Sequence, residues 1–79
     1  MSSSDISEIL IAAIADLDEE ITLALVRQRL DANDDPLLIM EDCKEGMRQV
    51  GVRYERNEYF LAGLIMAGEI FRQVMELLQ

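Results

Sequence analysis

The 79-residue chain has no histidine, a single cysteine, a single proline and only seven basic side chains. Without histidine there is no imidazole base, no Ser-His-Asp triad and no histidine metal site. The Glu-x-x-His pairs of di-iron four-helix proteins are excluded on the same ground. Cys43 has no intrachain partner, so no disulfide staples the fold. One thiol and no signal-like N-terminus suit a reducing, cytoplasmic setting. No apolar run approaches the roughly 18 to 20 residues that cross a bilayer, which argues against a membrane span. Seven basic against 16 acidic side chains leave a net charge of −9, and no basic face on which nucleic acid could neutralise its phosphates.

A chain this short makes one small domain, since it buries only roughly 60% of the surface its unfolded form exposes. Its acidity is uneven. Met1 to Asp42 carry two basic and 11 acidic side chains, whereas Cys43 to Arg56 carry Lys44, Arg48, Arg53 and Arg56 against Glu45 and Glu55. The middle can attract an anion or pair with the acidic half; a solvated surface of mixed charge is the plainer expectation.

The apolar spacing predicts four helices and no strand. Ile6, Ile9, Leu10, Ala13, Ile14 and Leu17 form one helical face, with Ser4 as the expected N-cap and the polar Met1–Ser4 stretch expected to be frayed or disordered. A second helix begins near Asp16 or Asp18, where Asp16 and Glu19 have the form of a capping box, and its face is Ile21, Leu25, Val26 and Leu30. Asp31 to Asp35 read as a turn, after which Asp35 caps a third helix with Pro36 at its first position. Ile39, Met40, Cys43, Met47 and Val50 share a side of that helix, Gly46 hints at close packing within it, and Gly51 reads as its stop. Arg53 to Asn57 read as a charged link, and Asn57 as the cap of a last helix with Phe60, Leu64, Ala67, Gly68, Phe71, Val74, Met75 and Leu78 on one face. Ala62, Gly63, Ala67 and Gly68 would admit a close neighbour, either a bundle helix or a flat ligand. These elements predict an all-α fold, a small antiparallel four-helix bundle.

Autonomous chemistry fails on the residues. An acyl carrier needs a serine at an internal helix start, and the serines here are Ser2, Ser3, Ser4 and Ser7. Asp31, Asn33 and Asp35 match the first calcium-loop spacings, but Pro36 stands where the loop has glycine. Cys43 falls on an apolar face with no base, which predicts an inert buried thiol. Adjacent carboxylates such as Asp18 and Glu19 diverge. No catalytic site and no metal site are expected.

The run from Glu45-Gly46-Met47 through Val50-Gly51, Tyr54 and Asn57-Glu58-Tyr59-Phe60-Leu61 is more specific. It resembles the "GM..VG..F..GEYFLPEL" signature of the N-terminal helical cap of cobalamin-binding modules, found in methionine synthase and in the corrinoid proteins of methylamine and methanol methyltransferase systems. The likeness extends to Asp16–Glu20, Asp35-Pro36-Leu37 and Ala67–Phe71, and so covers about Ile6 to Leu78. It departs at Val52, where the family usually has an acid, at Asn57 for the "GEYF" glycine, and at Ala62-Gly63 for Pro-Glu.

The resemblance implies a methionine-synthase-cap-like bundle over the upper face of a corrin ring, with apolar side chains above a cobalt-bound methyl group. Carried over by position, Tyr54 and Leu61 are the expected ring-covering contacts and Phe60 and Leu64 the supporting ones. It implies a corrinoid cofactor only together with a Rossmann-like B12-binding domain, in cis or in trans, with methyltransferase subunits as further partners. That domain's Asp-x-His-x-x-Gly motif, whose histidine binds cobalt from below, is not in this sequence. Residues 1–79 therefore read as a single cap domain, either excised from a longer protein close to its linker, which is the preferred expectation, or a natural stand-alone relative of that module. The rival expectation is a stand-alone interaction or homodimerisation bundle with no cofactor.

Overall fold

The computed structural model describes residues 3–79, with side chains described from Asp5 onward. Four helices follow one another: α1 Ser3–Ala15, α2 Glu19–Asp31, α3 Pro36–Glu55 and α4 Leu61–Leu78. Among the described residues there is no strand, and the fold is the all-α four-helix bundle expected. No helix among them is long and apolar enough to cross a membrane. Ser3 is already helical, so Ser4 is inside α1 and not its N-cap; Met1 and Ser2, the rest of the expected frayed end, lie outside the described residues.

Where local chemistry starts a helix, the starts agree with the sequence. The Asp18 carboxylate accepts the N–H of Ile21 at 3.0 Å, which settles the start of α2. Asp35 accepts the N–H of Leu37 at 2.9 Å and is followed by Pro36. The helix ends share one device. Leu17, Asn33 and Asn57 have φ of 58°, 63° and 64°, and each closes the helix before it. In each case that residue's N–H bonds three residues back and the following N–H bonds five residues back, as in Asn57 to Tyr54 and Glu58 to Arg53. No glycine has positive φ. Gly51 therefore stays helical and α3 runs on to Glu55, one turn past the expected stop. Asn57 ends α3 and does not cap α4, whose N-cap is Phe60 with no side-chain bond.

The core joins Leu10 and Ile14 of α1, Leu23 and Val26 of α2, Ile39 and Cys43 of α3, and Ile70 and Val74 of α4. Gly46 makes the α1–α3 contact possible. A Cβ there would sit 2.7 Å from Cβ and Cγ2 of Ile14. α1 and α3 finish at the same end of the molecule, as alternate helices of an up-and-down course do, because Arg53 near the end of α3 reaches the carbonyl of Ala15.

Some expected faces are turned. On α2, Thr22, Leu23, Val26 and Arg29 are buried, while Ile21 is 47% exposed and Leu25 and Leu30 are half-buried. Arg29 fixes that rotation: its Nε meets Asp34 at 2.7 Å and its Nη1 meets Asp42 at 2.6 Å, so its guanidinium enters the interior paired on two sides. On α4, Phe60 and Gly68 leave the expected core face for solvent, and on α1 so does Ile9.

Candidate functional site

Beyond α3, Asn57 turns the chain so that the N–H groups of Glu58 and Tyr59 point back to the Arg53 carbonyl, at 2.8 and 3.4 Å. The Tyr59 hydroxyl donates to the Ala15 carbonyl at 2.6 Å and accepts from Arg53 Nη1 at 2.7 Å. Arg53 Nη1 also donates to the Ala15 carbonyl at 2.7 Å and to Asp16 Oδ1 at 2.8 Å. The guanidinium carbon stands 5.6 Å from the centre of the Tyr59 ring, within cation–π range. Ala15 ends α1 and is fully buried, so its carbonyl is a helix-end acceptor with no intrahelical partner. Two side chains distant in sequence satisfy it. Asp16, and behind it the Tyr59 hydroxyl, hold the Arg53 guanidinium charged and raise its pKa. Gly63 leaves room for the arrangement: a Cβ there would lie 3.2 Å from Tyr59 Cβ and 3.4 Å from Leu17 Cδ1.

This knot carries the four side chains singled out in the sequence. Tyr54, in the last turn of α3, is 42% exposed; Phe60 and Leu61, at the start of α4, are 77% and 64% exposed. Leu64 is half-buried, one turn on from Phe60. Tyr54, Phe60 and Leu61 are thus outside the core, at both ends of the link the knot holds. Ile65, also exposed, repeats Leu61 one helical turn later on the same side of α4. Gly68 follows on that side and has open space where a Cβ would project. Ile65, Arg53 and Tyr59 were not among the site residues expected from the sequence. Ile65 could have been found from its i, i+4 spacing to Leu61, but the bonds of Arg53 and Tyr59 to Ala15 span 38 and 44 residues, which no local pattern displays.

A small globular chain seldom presents large apolar side chains together at one end unless something covers them. The surface is also short of chemistry of its own. Among the described residues no three His, Cys, Asp or Glu side chains gather as a metal site. Cys43 is fully buried, and desolvation, with Asp42 adding to it, pushes its thiol up to about 11. Among known protein families, the model described as "B12 binding domain" matches residues 6–79. The chain belongs to that family. Within it, this four-helix chain is the helical cap. No curated protein and no solved structure matches the chain.

Tested on its own side chains, the B12-family cap suits one side of the cofactor only. An exposed aromatic and aliphatic surface fits the apolar upper face of a macrocycle. A sequence without histidine offers no lower nitrogen ligand for cobalt. Asn57, where the resembled signature has a glycine, adopts a φ of 64°, a left-handed conformation that asparagine tolerates.

Proposed function

We propose that this cap serves a corrinoid methyl-carrier protein of a methyltransferase system, in a cytoplasmic setting. It would work with a Rossmann-like B12-binding domain that holds the cofactor from below. Tyr54 and Leu61 cover the upper face of the ring, with Phe60 and Leu64 in support. When bound, the cofactor supplies methyl transfer through its cobalt–carbon bond. The protein side chains contribute apolar contact and exclusion of water from that face. Their contact must also release when a methyl donor or acceptor approaches, and a shallow exposed surface suits release better than a deep pocket would.

The observation that carries this reading is the outward placement of Phe60 and Leu61 at a helix start braced by hydrogen bonds. Titration of a methylcobalamin-loaded Rossmann-like B12-binding domain with this chain tests it. The absorption spectrum of the bound corrinoid should change on addition, while free methylcobalamin should give no change. An unchanged spectrum, with a chain that sediments as a dimer, would favour the homodimer reading instead.

A further inference from the structure

We infer that Arg53 and Tyr59 are positioning residues: they fix the α3–α4 link on the end of α1 and so set the height and angle at which Phe60 and Leu61 are presented. This rests on the cap reading and extends it to residues that need not touch the cofactor.

Phe60 is the N-cap of α4 but makes no side-chain capping bond, so no local device orients the first turn. Phe60 and Leu61 are too exposed to be held by packing. What holds them is the residue before. Tyr59 is half-buried, and its hydroxyl both donates and accepts, leaving neither capacity idle. Its donor bond ends on the buried Ala15 carbonyl, so lifting the link breaks that bond and leaves the carbonyl to Arg53 alone. Arg53 closes the loop from both sides. Its guanidinium binds Ala15, Asp16 and Tyr59, and its own carbonyl takes the N–H groups of Glu58 and Tyr59. One residue therefore grips the link through backbone and side chain while anchored to another helix. The bonds are few and lie at the surface edge of the bundle, so the link forms a small opening unit that can loosen while the core stays folded.

The test compares Tyr59→Phe, which keeps the ring and deletes the hydroxyl, with Ile39→Val, a core change far from the link. Arg53→Lys keeps the charge but moves the donor, because a flexible ammonium replaces the fixed Nη1 that makes all three side-chain bonds. Two quantities are measured: amide hydrogen exchange in the chain alone, and the photolysis rate of methylcobalamin on a Rossmann-like B12-binding domain to which the chain is added. Tyr59→Phe should speed exchange at residues 58–63 by about tenfold, the size of one lost hydrogen bond, with α2 amides unaffected. It should also raise the photolysis rate several-fold, Arg53→Lys should fall between it and the parent, and Ile39→Val should do neither. If Leu61→Ala speeds photolysis but Tyr59→Phe leaves both photolysis and exchange at parent values, the positioning role is overturned and the cap reading stands. If neither Leu61→Ala nor Phe60→Ala alters photolysis, the cap reading is overturned and the positioning role with it.

Discussion

Arg29 reaches 6% exposure only because two carboxylates meet it, and Thr22 is buried on the same helix with a hydroxyl that has no partner. The two residues show opposite outcomes of burying a polar group: one is matched, the other is not. Replacing Thr22 with valine keeps the shape and removes the unmatched hydroxyl, so the protein should gain about 1 kcal/mol in urea unfolding. Cys43 is a third buried group. With its thiol pushed up to about 11 and no exposed surface, it should resist a thiol reagent such as DTNB at pH 8 in the native state and react within minutes once unfolded. Its burial was legible from its place on the apolar side of α3. The burial of Arg29 was not, because its partners Asp34 and Asp42 are brought to it by the turn and by another helix.

At the scale of the element, the boundaries that could be read were those set by neighbouring residues. Asp35 with Pro36 starts α3 as expected, since both the cap and the fixed φ act within one turn. The misread boundary was the other end of α3. Gly51 has a backbone able to stop a helix, but nothing obliges it to, and the Asn57 turn comes later with bonds to Tyr54 and Arg53. Gly46, by contrast, is present for packing. Alanine is favoured over glycine within a helix by about 1 kcal/mol, yet here its methyl would press on Ile14. Gly46→Ala should therefore destabilise the protein by about 1–3 kcal/mol, seen as a lower urea midpoint, because α1 and α3 must separate to admit it. A stabilised Gly46→Ala protein would show that the α1–α3 approach is looser than described.

Across the whole molecule, acidic groups outnumber basic ones, and pairing decides which of them matter. The Arg29 guanidinium, by hydrogen bond first and charge second, holds Asp34 below its ordinary 3.8. The folded carboxyl therefore binds protons more weakly than the unfolded one. The stabilisation is complete above about pH 4 and is lost as pH falls through the depressed value. Glu45 is held at about 2 by Arg48, but that pair is exposed and within one helix, and such pairs add little. Asp34→Asn should lower the thermal midpoint at pH 7 and flatten its fall between pH 5 and pH 2; a parallel fall in both proteins would contradict the assignment. The fold class was legible because four amphipathic repeats and their caps act locally. The place of the candidate surface came from the signature around Phe60 and Leu61, whereas the brace beneath it depends on contacts between distant segments.

In the proposed role, this bundle shields the upper face of a corrinoid held by another domain. The most direct measurement is the photolysis half-life of methylcobalamin on a Rossmann-like B12-binding domain, with and without the chain and with Leu61→Ala in its place. The parent chain should lengthen the half-life several-fold and Leu61→Ala should forfeit most of that protection with helicity unchanged. A half-life that the parent chain leaves unaltered at saturating concentration would contradict the account.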